Sequence, residues 1–532
     1  MTTAAPTRAR THHALHPDGT TVLSVADILR RRAVATPHRV AMLDATSKTT
    51  FAELDARSSQ VAQALLQDGV VAGDRVAYVG SNAPSLLEVV NGAARVGAIA
   101  VPVNNRLAPG EVAVIVEDAG ACVVVLGAED ASLHSVLSEL SDVRQVVVVG
   151  GADDATDYQT WLGAQQARDP GHVSDPQEPA LLFYSSGTTG RPKGVVLNGD
   201  NVGSALGAAR DQVVFTETSV AMAPIPFFHI AGFGLALQAV LNGSVLLLEL
   251  PTGVAGLIDL LVRRRVTHAV MVPTVLQAVV NDPAAAQADW SALEYVVYGA
   301  SPIPLPVIRA ATEVLACRFL QSYGLTETTG GVTLLSPEDH TPDEKHARRL
   351  TSAGRALPGV ELRIVDPVLL EDVPAGEHGE VLVSSGHVMA GYWRRDEETA
   401  RALLPGGWLR TGDGGSLDED GYLYLHDRLK DMIITGGENV FPAEVESVLT
   451  GHPAIAEVAV VGVPSETWGE SAYAVVVLRP GQALSEGELV SWSRERMAHF
   501  KCPVGMRTVD ALPRNASGKL LKAKLRAELA TS

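Results

Sequence analysis

Cysteine is scarce, basic residues are outnumbered, and no long apolar run goes unbroken. The three cysteines, Cys122, Cys317 and Cys502, are scattered through 532 residues. With no CxxC and no paired spacing, they exclude a disulfide framework or a zinc site, and point to a reducing, cytoplasmic setting. Against 61 Asp and Glu stand 42 Lys and Arg, a formal net charge of −19. A nucleic acid or an anionic membrane requires a basic face, so neither is the expected partner. Small anions remain open, because backbone N–H groups and a few local cations can hold them. The most apolar stretch, 221–250, is interrupted by Pro224, Pro226, His229, Gln238 and Asn242, and reads as core rather than a membrane span. Arg8 and Arg10 are followed by no apolar segment, so residues 1–20 read as a loose tail rather than a signal peptide.

What remains is a globular composition, 46% apolar, in a chain too long for a single core. Short apolar runs at 75–80, 98–103, 145–149, 180–184, 268–272, 295–298 and 318–321 read as buried strands. Amphipathic segments such as 83–96 and 305–315 lie between them. That alternation predicts an α/β fold with largely parallel sheets flanked by helices. No fixed-period repeat is visible, which excludes a solenoid or propeller. After about Leu357, Gly- and Asp-rich turns separate short strands, as in an antiparallel β-rich subdomain. From His426 a further unit begins, with helices near 443–449 and 485–497, strands near 455–463 and 471–478, and a final basic helix. The expected boundary lies at 427–431.

The densest local pattern runs from Tyr184 through Ser185, Ser186, Gly187, Thr188, Thr189, Gly190, Arg191, Pro192 and Lys193 to Gly194, directly after an apolar strand. Glycines permit close backbone approach to an anion, hydroxyls donate hydrogen bonds, and Lys193 adds a compact charge. These properties suit a polyphosphate. It is not the P-loop of NTPases, which needs Gly before and Ser or Thr after its Lys. The alternative is a Gly/Ser surface turn.

With this loop in place, the sequence resembles the adenylate-forming superfamily of acyl-CoA synthetases, peptide-synthetase adenylation domains and luciferases. The resemblance spans about residues 20–525. Further motifs follow in the family's order: Gln321-Ser-Tyr-Gly-Leu-Thr-Glu327, Leu409-Arg-Thr-Gly-Asp413, Asp427-Arg-Leu-Lys430 with Ile434-Thr-Gly-Gly-Glu-Asn439, and Pro513-Arg-Asn-Ala-Ser-Gly-Lys519. It implies a large N-terminal adenylation domain, 21–427, and a small mobile α+β C-terminal domain, 428–532, hinged near Lys430.

The resemblance also assigns roles. Tyr323 stacks near adenine, Thr326 meets the α-phosphate, and Glu327 ligates the Mg²⁺ that accompanies ATP. Taken alone, Glu327 would read as a helix first-turn acid. Gly299, Ala300 and Ser301 line the adenine and acyl pocket. Asp413 accepts from the ribose hydroxyls, although Asp is also common in such turns. Arg428 supports the same ribose. Lys519 reaches the carboxylate and α-phosphate during adenylation, where an aimed ammonium offsets the repulsion of two anions; the bland alternative joins it to Lys522 and Lys524 on a solvated helix. Gly436 borders the pantetheine tunnel of CoA. His229, in Pro226-Phe-Phe-His, matches an acyl-pocket position or is a satisfied core residue.

The implied cycle is attack of a carboxylate on ATP to give acyl-AMP and pyrophosphate, rotation of the C-terminal domain, then attack by the CoA thiol. Amino-acid-activating relatives place an Asp after the pocket Phe; here Phe228 and His229 follow Phe227, and a buried substrate ammonium would lack a partner. The expected substrate is therefore a hydrophobic acid. An amine in place of CoA, giving an amide synthetase, and a catalytically silent nucleotide-binding protein are the rival readings. A homodimer is compatible with the resemblance, and no residue pattern decides it.

Overall fold

The structure is a computed structural model. It describes residues 13–16, 19–152, 155–185, 192–210, 212–300, 303–340, 347–428, 431–435, 438–465, 467–514 and 520–530, with the side chains of 427, 428, 438, 439 and 530 left aside. The chain divides into two compact units. The first comprises Met1–Leu362 and Val383–Leu409, the second Arg363–Leu382 and Arg410–Ser532.

Two sheets organise the first unit among its described residues. In the nine-stranded sheet, Arg318–Leu325, Tyr295–Gly299, His268–Met271, Val220–Met222, Val245–Leu247 and Val40–Leu43 neighbour one another in that order and run parallel. Antiparallel strands, Gly330–Leu335 and Lys48–Thr50 among them, extend it on either side. The eight-stranded sheet repeats the design, with Pro179–Ser185, Ile99–Val103, Arg75–Val79, Ala121–Leu126 and Gln145–Val148 parallel. Strands covered on both faces are apolar throughout, so they appear as continuous hydrophobic runs. Ala121–Leu126 is buried at every position.

Several expectations required adjustment. The run at 318–321 continues to Leu325, because Gly330–Leu335 pairs with it antiparallel and satisfies its outer backbone groups. Ala121–Leu126 is a strand not singled out in the sequence. It follows the left-handed Gly120 that ends helix Pro109–Ala119, so helix and strand abut without a polar loop to separate them.

In the second unit, Asp413–Leu417 pairs antiparallel with Leu423–Arg428, in line with the turn-rich texture of that segment. A separate sheet holds Glu438–Val440, Ile433–Thr435, Gly469–Leu478 and Ile455–Ser465 in that order, and Met506–Thr508 pairs parallel with Gly469–Leu478. Helices Pro442–Thr450 and Glu486–Arg494 pack on it through Val445, Leu449 and Leu489. The second of these starts at a capping box, with Ser485 and Glu488 exchanging hydrogen bonds. Among the described residues no helix is long and apolar enough to cross a membrane.

Candidate functional site

The phosphate-loop motif lies between paired strands. Pro179–Ser185 runs into it and Lys193–Asn198 returns antiparallel, with Ser185 opposite Lys193 and Tyr184 opposite Gly194. Ser186, Gly187, Thr188, Thr189, Gly190 and Arg191 lie outside the described residues. The sheet nevertheless settles the two ends of the motif side by side.

At those ends a polar network forms in the first unit. Glu327 sits in the short 3₁₀ turn Thr326–Thr328, beyond the end of strand Arg318–Leu325. This three-residue turn replaces the helical first turn that the bland reading would require. Its carboxylate Oε1 accepts from the Tyr392 hydroxyl at 3.0 Å and from Ser185 Oγ at 3.4 Å. Oε2 has no partner among the described residues. Lys193 Nζ lies 5.3 Å from the centroid of the Tyr392 ring and forms an ion pair with Glu398. Thr326 is half-buried in the same turn.

The segment 387–393 fastens these parts together. Met389 N donates to Glu327 O at 2.9 Å, Ala390 N to Val196 O at 3.0 Å, and Trp393 N to Gly194 O at 2.8 Å. Thr329 Oγ1 donates to His387 O at 2.6 Å. One stretch of backbone thus ties the turn carrying Glu327 to the strand carrying Lys193. Tyr392 and Glu398 went unread in the sequence; the only local signal is Gly391-Tyr-Trp-Arg394, whose meaning depends on strand pairing.

Close backbone approach shapes the neighbouring wall. Gly299 is paired with Ser322, and a Cβ on it would lie 2.1 Å from Ser322 O. A Cβ on Gly324 would lie 1.8 Å from Gly330 O. Both positions demand glycine, and together they hold Tyr323 between the strands that carry Gly299 and Gly331. Ala300, next to Gly299, adopts φ 66°, a left-handed backbone that a non-glycine residue takes only at a cost. Ser301 lies outside the described residues.

His229 precedes helix Ile230–Asn242, and its ring packs 4.7 Å from that of Phe228. Burial, with a smaller contribution from the Arg106 cation, pushes its pKa down to about 4, so the imidazole is neutral at pH 7. Its loop is gripped by Asn82, which accepts from Phe227 N at 2.7 Å and donates to Ile225 O at 3.0 Å. Asn82 was another residue without a sequence signal.

In the second unit, Asp413 lies directly opposite Arg428 in the ladder between Trp408–Leu417 and Leu423–Arg428, so the two ribose candidates share one backbone register. The motif is supported from beneath by Glu380, which is 2% exposed. Its carboxylate accepts from Arg410 Nε at 2.9 Å and Gly412 N at 3.2 Å. Thr411 Oγ1 donates to Val381 O at 2.7 Å and accepts from Asp413 N at 3.1 Å.

Lys430, Gly436 and Lys519 lie outside the described residues. Around Gly436, Thr435 and Glu438 are paired antiparallel. Around Lys519, Arg514 and Leu520 form an isolated antiparallel bridge, and Leu521 N donates to Pro513 O at 2.9 Å.

Among the described residues, loop ends brought side by side, a carboxylate with one unpartnered oxygen and a strand wall with glycines at close approaches make up the candidate site. Comparison with known proteins gives the family. A profile described as AMP-binding enzyme matches residues 29–393, and its companion, AMP-binding enzyme C-terminal domain, matches residues 444–519. The chain belongs to the AMP-binding enzyme family. It is 37% identical over 515 residues to the long-chain-fatty-acid–CoA ligase FadD13 of Mycobacterium tuberculosis, covering 94% of this chain and 97% of that protein. It is 35% identical over 516 residues to the fatty acid–[acyl-carrier-protein] ligase ScoC of Streptomyces coeruleorubidus, covering 96% and 97%. Among solved structures, the amide bond synthetase McbA from Marinactinospora thermotolerans superposes with a TM-score of 0.85 at 30% identity, covering 94% of this chain and 99% of that one.

Proposed function

We propose that the protein is an AMP-forming acyl-CoA synthetase that activates a hydrophobic carboxylic acid as its acyl-adenylate and passes the acyl group to CoA. The observation that carries this reading is the convergence of Ser185 and Tyr392 on a single oxygen of Glu327, beside Lys193 at the end of the phosphate-binding motif.

The donor set suits Mg²⁺, which takes few protein carboxylates and prefers phosphate oxygens and water. Glu327, with Oε2 open, would hold it, and the ion would neutralise phosphate charge. The chain's own residues do the rest. Lys193 adds positive charge at the loop, Tyr323 and the Gly299–Ala300 wall receive the adenine, and Asp413 with Arg428 takes the ribose. Thr326 donates to the α-phosphate. Lys519 draws the substrate carboxylate and the α-phosphate together, which offsets their repulsion as the new bond forms. Pyrophosphate leaves, and rotation about Lys430 withdraws Lys519 and brings Gly436 to the thiol's path. Excluding water between the steps protects the mixed anhydride.

A hydrophobic acid accords with the Phe227-Phe228-His229 loop, which carries no acid and whose imidazole is held neutral. Cys122, Cys317 and Cys502 are all free thiols, in keeping with a cytoplasmic enzyme.

The test is incubation with Mg·ATP and a panel of apolar acids, in tubes holding CoA, an amine, a carrier protein or no acceptor, followed by mass spectrometry. Acyl-CoA and AMP, lost in Lys519→Ala, are expected. Acyl-AMP that ignores CoA and becomes an amide would replace the acceptor. No pyrophosphate release with any acid would leave only nucleotide binding.

A further inference from the structure

Lys193 belongs to the phosphate-binding motif, yet the group that fixes its ammonium comes from a different part of the chain. Glu398 lies on helix Asp396–Ala402 and pairs directly with Lys193 Nζ, on the side where the Tyr392 ring also faces that cation. The side chains are 17% and 32% exposed, so the pair is less open to solvent than an ordinary surface bridge. The helix is itself held in place. Tyr392 N donates to Thr399 Oγ1 at 2.9 Å, and Thr399 Oγ1 donates to Arg395 O at 2.8 Å. Arg395 pairs with Asp118, which accepts from the Tyr184 hydroxyl at 2.8 Å. Tyr184 opens the motif and Lys193 nearly closes it, so the helix is connected to both ends.

We propose that Glu398 is a positioning residue for the reaction, holding the Lys193 ammonium against the Tyr392 ring at the end of the phosphate-binding motif. The proposal rests on the reading of this site as one for ATP. A lysine carries a flexible four-carbon stem, and ordering it when the nucleotide arrives costs rotamer freedom. A carboxylate that has already restricted the stem removes part of that cost. The same carboxylate could instead oppose binding, by competing with phosphate for the ammonium. The two roles predict opposite signs, and the fixed geometry of the helix favours positioning.

The decisive experiment measures Mg·ATP binding by calorimetry, together with KM and kcat for pyrophosphate release, in the wild type and three variants. Glu398→Ala is expected to weaken ATP binding and raise KM for ATP roughly three- to tenfold, with kcat nearly unchanged, since the loss is one of restraint. Glu398→Gln retains an acceptor oxygen and is expected to recover part of the affinity. In a Lys193→Ala background, Glu398→Ala is expected to have no further effect, because the two side chains act as a unit. Thermal unfolding midpoints identify a variant that has merely lost its fold, in which case Glu398→Gln supplies the comparison. Unchanged or tighter ATP binding in Glu398→Ala, or additive losses in the double variant, would overturn the proposal. If no acid is adenylated but ATP binding follows this pattern, the acid-activating reading fails and the role of Glu398 stands.

Discussion

The Tyr392 hydroxyl donates to Glu327 Oε1 at 3.0 Å while the face of the same ring lies 5.3 Å from Lys193 Nζ. One side chain therefore orients the acid at one edge of the site and supports the cation at the other. Tyr392→Phe separates the two duties, keeping the ring and deleting the hydroxyl. A hydrogen bond to a charged group contributes about 1.5–3 kcal/mol, so pyrophosphate release should slow by roughly 10- to 100-fold. The Mg²⁺ concentration for half-maximal rate should rise as well. A rate within twofold of wild type would show that Glu327 does not depend on this bond.

Gly299→Ala places a methyl group 2.1 Å from Ser322 O, a backbone atom of the neighbouring strand. The strands must separate, and overpacking of this kind costs about 1–3 kcal/mol. Urea unfolding should show that loss, and nucleotide affinity should fall with it because Tyr323 follows Ser322 directly. Normal stability in this variant would mean that the strand pairing is looser than the geometry indicates.

Glu380 is the buried support of the Asp413 turn. Replacing it with Ala removes the carboxylate acceptor of the Gly412 amide and of Arg410, which keeps only its bond to Pro367 O. Arg410 is 32% exposed and recovers some hydration, so the expected cost is about 2 kcal/mol, below the range for a fully buried pair. ATP affinity should drop together with the unfolding midpoint. An unaffected affinity would remove Asp413 from the nucleotide site.

His268 is stacked between Phe215 and Tyr295, with ring centroids 4.3 and 4.9 Å away. Nε2 donates to Val214 O at 3.1 Å, and Nδ1 faces the Thr267 hydroxyl at 2.7 Å. Burial pushes its pKa down to about 4, from about 6.5 for an unrestrained imidazole. The unfolded chain thus binds the extra proton first as pH falls. The stability contributed by the neutral ring is complete above about pH 6.5 and is lost progressively between there and about pH 4. His268→Phe keeps the stack, loses the hydrogen bonds and cannot titrate. Its deficit against wild type should be greatest near pH 7 and shrink toward pH 4, as read from urea midpoints. A deficit constant with pH would refute this assignment.

The parallel cores were legible because strands covered on both sides appear as short, mostly apolar runs, as at His268–Met271 and Tyr295–Gly299. The C-terminal helices and strands were legible for a related reason, since Ser485 and Glu488 mark a helix start by local chemistry. Ala121–Leu126 escaped because a single left-handed glycine, with no polar loop, separates it from the preceding helix. Among the candidate site residues, the Tyr184–Gly194 motif and Glu327 stood out through residue order. Tyr392, Glu398, Asn82 and Glu380 did not, because an aromatic, an acid or an amide acquires its role only from what folding places beside it.

By itself the sequence determined which backbone segments could turn, extend or approach an anion, since Gly, Pro, Ser and the apolar runs act on their immediate neighbours. It also determined the family, through motifs whose order along the chain survives without any coordinates. Only the tertiary structure decided which groups share an atom. Ser185 and Tyr392 are separated by more than two hundred residues, and meet at one carboxylate oxygen because Lys193–Asn198 pairs with Pro179–Ser185 on one side and Gly391–Tyr392 on the other. Such pairing is set by long-range hydrogen bonding and burial, and no local pattern encodes it.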